Sequence, residues 1–135
     1  KNKKSFLYVV KNSIQLSFFT ALIISALYLF FFKDIINIFT DVEILRFISY
    51  KHFIWIIVIP PVASFCYQLD GIFIGASQTK EIRNAMIVAV LIFIGISIYL
   101  TELFGNHGLW FSLLLFMILR ALTLQFYFKK ILRKF

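Results

Sequence analysis

Four long apolar runs, separated by short clusters of charged or turn-forming residues, organise this chain; they cover about 13–32, 52–76, 84–104 and 109–128. A helix of about 20 residues rising 1.5 Å per residue crosses a hydrocarbon layer of about 30 Å. Each run therefore predicts one transmembrane helix, and the predicted fold class is all-α and membrane-integral with four spans. The second run is long for one crossing and contains Pro60-Pro61. Each proline removes a backbone donor and clashes with the preceding turn, which predicts a kink near Ile59 and leaves carbonyls that need a new partner in lipid. Between the first two runs, Asp34, Asp41, Glu43 and Arg46 are mixed with Ile, Phe and Leu. Thr40-Asp41-Val42-Glu43 has the spacing of a capping box. It predicts that Thr40 accepts from a free amide, that Glu43 reaches back to Thr40, and that a helix starts there and runs into the second span. Residues 77–83 read as a short loop, and Gly105-Asn106-His107-Gly108 as a tight turn.

Composition strengthens the membrane reading. The chain is 61% hydrophobic with 18 Phe and only 15% charged residues, against near-half apolar content and about a quarter charged in soluble domains. The net charge of +8 does not point to nucleic acid, because the basic residues flank spans instead of forming a base-reading motif. With the N-terminus inside, Lys1, Lys3, Lys4, Lys11, Lys80, Arg83, Lys129, Lys130, Arg133 and Lys134 fall on the inner side, and Lys33, Arg46 and Lys51 on the outer. That bias predicts a multi-pass protein of the cytoplasmic (inner) membrane with both ends of the chain cytoplasmic and its basic side on anionic lipid. Cys66 stands alone, so no internal disulfide and no cysteine-based metal site is possible. The chain lacks an initiator Met and opens within a basic loop, so it reads as a piece of a longer protein.

Candidate chemistry concentrates in the second span. On a helical wheel Asp70, Ala63, Tyr67, Gly71, Ser64, Gly75 and Gln68 share a sector of roughly 160°, opposite Phe65, Leu69, Ile72 and Phe73. Helix packing accounts for Ala63, Gly71 and Gly75, but not for Asp70. A carboxylate at that depth must be protonated, paired or exposed to water, or else cap or snorkel toward the cytoplasmic Lys80. Arg120 lies about 13 Å inside Lys129 and shares a face with Thr123 and Tyr127. It needs an acid, carbonyl oxygens or water, and an interhelical ion pair is the favoured reading. Ser13, Ser17 and Thr20 form one face of the first span, suited at least as well to helix packing as to substrate contact. The cavity-lining candidates are Ser64, Tyr67, Gln68, Asp70, Gly71, Gly75, Arg120 and Thr123, with Pro60 and Pro61 as hinge candidates. His52 and His107 receive neither a metal nor a relay role, while Trp55, Trp110 and Tyr50 read as an interfacial aromatic belt. No nucleophile–base set, metal-ligand spacing or phosphate loop occurs, so neither an enzyme nor a cofactor is expected.

Several stretches, taken in order, resemble the C-terminal part of the multidrug and toxic compound extrusion (MATE) transporters, most closely their DinF-like branch. They are Ile38-Phe39-Thr40-Asp41, Pro60-Pro61, Leu69-Asp70-Gly71-Ile72-Phe73-Ile74-Gly75-Ala76, Thr79-Lys80, Arg83-Asn84-Ala85-Met86, Asn106-His107-Gly108-Leu109-Trp110 and Phe116-Met117-Ile118-Leu119-Arg120. The resemblance implies a twelve-helix, two-bundle transporter of which these are the last four helices. It implies export of organic cationic or amphipathic small molecules in exchange for H+ or Na+, with the lipid bilayer and the remaining helices as partners. The acidic cation site of DinF-like members lies in the first helix of the N-terminal bundle, outside this chain. The acidic position that some relatives use in the second span falls near Ala63, about two turns from Asp70. Two other readings stay open: a flippase or exporter of a lipid-linked or amphiphilic substrate, and a non-transporting membrane subunit.

Overall fold

The computed structural model describes residues 2–133; Lys1 and Lys134 of the basic-residue count lie outside them. The chain folds as α1 (Lys3–Phe39), α2 (Glu43–Lys51), α3 (Phe53–Gly75), α4 (Thr79–Phe104) and α5 (Asn106–Leu132). Four of these, α1, α3, α4 and α5, are long and apolar enough to cross a membrane.

Helix α1 begins at Asn2, whose side-chain oxygen accepts from the amides of Lys4 at 3.1 Å and Ser5 at 3.4 Å, satisfying donors that the first turn leaves free. The helix continues through Lys33-Asp34 to Phe39, because charge alone does not stop a helix and this stretch has no Gly or Pro. At 1.5 Å per residue it is about 55 Å long, and its uncharged section between Lys11 and Lys33 is about 33 Å, close to the hydrocarbon thickness.

The expected capping box does not form. Helix α2 starts after Val42 with no side-chain cap. Thr40 Oγ1 accepts from the Val42 amide at 3.3 Å, while Arg46 donates to the Thr40 carbonyl at 2.7 Å and to the Asp41 carboxylate at 3.0 Å. The guanidinium thus organises the linker that Glu43 was expected to close. Nor does this helix run unbroken into α3: His52, at φ −105° and ψ 6°, separates them.

Helix α3 occupies the centre, between α1 and α5, and α4 packs mainly on α5. The buried core joins Cys66, Leu69 and Phe73 of α3 to Ala85 of α4 and Met117, Ala121, Leu124 and Ile131 of α5. Two glycines shape the α4–α5 connection. Gly105, at φ +59°, is its single linking residue, in a region that L side chains rarely adopt. At Gly108 a Cβ would collide with the backbone carbonyl of Leu100, so only glycine lets the helices approach so closely there. At the other end Lys130 pairs with the buried Glu81 at 2.6 Å, tying the end of α5 to the start of α4. The outward positions Ile87, Leu91, Ile94 and Ile98 of α4 are exposed apolar side chains, as suits a surface bordered by lipid or by other helices.

Candidate functional site

The two prolines in α3 create a local hydrogen-bonding demand. Pro61 has no N–H for the carbonyl of Ile57, four residues earlier. The hydroxyl of Ser25, buried on α1, donates to that carbonyl at 2.8 Å. The need for a partner was legible in the sequence, but the identity of Ser25 depends on how α1 lies against α3. Helix α3 remains continuous across Pro60 and Pro61.

Toward the other end of the same seam, α1 and α3 enclose a groove of about 490 Å³. Ser13, Ser17 and Thr20 line one wall, and Pro60, Ala63, Ser64, Tyr67 and Gln68 the other. The amide of Gln68 donates to the hydroxyl of Ser13 across it. Thr20 donates to the Leu16 carbonyl at 2.9 Å and Ser64 to the Pro61 carbonyl at 3.1 Å, so both oxygens keep lone pairs available as acceptors. Among the described residues the lining has no charged side chain. Its chemistry is that of hydroxyl and amide groups beside one phenol ring and aliphatic surface.

Asp70 does not line this groove. It turns toward α5 and meets Arg120, Oδ2 to Nη2, at 2.6 Å, with 8% of Asp70 and 9% of Arg120 exposed. Asp70 Oδ1 and Arg120 Nε are buried without a hydrogen-bond partner among the described residues. The 160° sector that grouped Asp70 with the polar residues therefore spans three environments. Ser64, Tyr67 and Gln68 line the groove. Asp70 is buried against α5, whereas Gly71 and Gly75 are exposed and a Cβ on either would meet nothing within 4 Å. Thr123 donates to the Leu119 carbonyl of its own helix at 2.8 Å, and Tyr127 packs beside the core.

Sequence reasoning missed contacts between separate helices, three of which answer a specific need. They are Ser25 with Ile57, Lys130 with Glu81, and the Trp55 indole with His107 at 3.0 Å. Their only sequence signals were unmet needs: a released carbonyl, a buried carboxylate and an indole N–H.

The chain is 38% identical over 104 residues to DNA damage-inducible protein F of Escherichia coli (strain K12), a MATE family member. The matched stretch is similar to part of that protein. It covers 77% of this chain and 22% of that relative, so the chain spans about a fifth of the length of the MATE protein it matches. No family profile matches, and no solved structure does. The all-helical architecture with four membrane-length helices agrees with a C-terminal MATE segment.

Proposed function

We propose that this chain supplies part of the C-terminal bundle of a cation-coupled antiporter that exports organic cationic or amphipathic compounds across the cytoplasmic membrane. The observation that carries this reading is the uncharged, hydroxyl-rich groove between α1 and α3, in a chain otherwise dominated by apolar helix surface and related to MATE sequences. Such a lining can hold an amphipathic molecule through its apolar body and a few hydrogen bonds. In this reading Ser64, Tyr67 and Gln68 touch the substrate. Asp70 and Arg120 keep α3 and α5 in register, and the two bundles rock about a central site so that it opens alternately to each side.

The energetics are sufficient. One monovalent cation moving down about 100 mV releases about 2.3 kcal/mol, which sustains a gradient of roughly 50-fold for a neutral substrate. Pro60 and Pro61 would provide the bend point. Changing both to Ala is expected to lower turnover more than expression, and equal loss of both would argue for a structural role alone.

The test is reconstitution of the full-length protein in vesicles, with an imposed proton or sodium gradient and a fluorescent organic cation as cargo. Coupled efflux that weakens in Q68L and Y67A is the expected result. Absence of efflux under both gradients would overturn the antiport reading.

A further inference from the structure

At the end of the bundle opposite the Lys130–Glu81 pair, the α2–α3 junction meets the α4–α5 turn, and a cluster lies there that the proposed transport does not use. The Trp55 indole N–H donates to His107 Nδ1 at 3.0 Å. The rings of His52 and His107 stack with 4.3 Å between centroids and 26° between planes, and His52 Nδ1 lies 2.8 Å from the Ile48 carbonyl oxygen.

These contacts determine where the ring protons are. Indole nitrogen only donates, so His107 Nδ1 must present a lone pair and its hydrogen sits on Nε2. A carbonyl oxygen only accepts, so His52 Nδ1 carries hydrogen. The two rings therefore respond differently to acid. His52 takes a proton on Nε2 and keeps its bond to Ile48. His107 takes a proton on Nδ1, which turns the acceptor of the indole bond into a second donor facing a donor.

We propose that the Trp55–His107 bond, with His52 stacked against it, is a proton-released clasp between the N-terminal ends of α3 and α5. With His107 neutral, the bond ties the two helix starts together. With His107 protonated, the bond is lost, and if His52 is also charged two stacked cations repel. The neighbouring elements bring Lys33 and Asp34 of α1, Glu43, Arg46, Tyr50 and Lys51 of α2, and Glu102 of α4 to this end. Arg46 is held by Asp41, Tyr50 donates to Asn37, and the Lys51 ammonium lies over the Phe47 ring at 4.4 Å. Among the described residues none of these groups forms an ion pair or hydrogen bond with either histidine ring. Leu100, Phe104 and Phe111 flank His107 with apolar side chains that supply no acceptor to replace the lost bond, and the ring is exposed at this end.

Full-length protein labelled with 5-fluorotryptophan in lipid nanodiscs tests the clasp by 19F NMR, with the Trp55 resonance assigned by its loss in W55F. The resonance is followed from about pH 8 to 5, the interval over which histidine ordinarily changes charge. It should move along a titration curve in the unaltered protein and in H52Q. In H107Q, whose amide oxygen accepts the indole hydrogen but takes no proton, it should stay flat. A flat response in the unaltered protein, or a titration that persists in H107Q, would overturn the proposal. If H107Q fails to fold, 15N labelling of histidine in the unaltered protein decides: a hydrogen on Nδ1 of His107 at about pH 8 would also overturn it.

Discussion

The α1–α3 seam and the α4–α5 hairpin are both helix pairs within one apolar chain, yet they are joined by different means. In the seam, polar groups span the gap: Ser25 meets the Ile57 carbonyl and Gln68 meets Ser13, and a groove of about 490 Å³ remains between the helices. In the hairpin the small residues Ala85, Ala89, Gly108 and Ser112 are buried, and the backbones close until Gly108 admits no side chain. Without a strong hydrophobic drive between helices in lipid, close packing and interhelical hydrogen bonds are the two available sources of attraction. Each pair relies mainly on one of them, and the pair that relies on hydrogen bonds is the one that retains space for a ligand.

The largest effect should come from cutting the joint between the two pairs. Arg120→Leu leaves the Asp70 carboxylate buried without its partner, at an expected cost of about 3 to 5 kcal/mol in reversible unfolding in mixed micelles. The double change D70L/R120L should recover most of that loss. Next comes Gly108→Ala, whose added methyl collides with the Leu100 backbone and should cost about 3 kcal/mol. A small loss there would mean that the hairpin can spread and is not held by close approach. In the seam, Ser25→Ala removes one interhelical hydrogen bond and should cost about 0.6 kcal/mol, and no more than about 1.7. The smallest shift should come from Gly75→Ala, which fills open space and removes backbone freedom, a gain of about 0.5 to 1 kcal/mol. A loss instead would reveal that another helix of the full-length protein lies against that face.

The sequence displayed the number of long helices because each needs a run of apolar residues of membrane length, a property local to the chain. The breaks between helices were legible only roughly: the expected 77–83 loop shrinks to residues 76–78 because α4 already begins at Thr79, and the expected 105–108 turn shrinks to Gly105 because α5 begins at Asn106. Contacts between helices were not. Asp70 and Arg120 are separated by 50 positions (120 minus 70), and their pairing depends on the rotation of α3 and α5 about their axes, which no local pattern encodes. A wheel sector of 160° is wide enough to touch three neighbours, so Asp70 appeared beside Ser64 and Gln68 although it faces another helix. The capping box at Thr40 failed because the pattern weighs only Thr40 and Glu43 and ignores the longer reach of Arg46. His52 and His107 looked like ordinary boundary residues until the fold brought their rings together.

The single-residue connection at Gly105 also bears on how the protein is made. Helices α4 and α5 have no loop to separate them, which suits them to enter the bilayer together as a hairpin with its backbone groups already paired. Between Thr101 and Ser112 this hairpin carries one formal charge, Glu102. If this tip is the end that crosses the bilayer, little hydrated charge has to pass through the hydrocarbon with it.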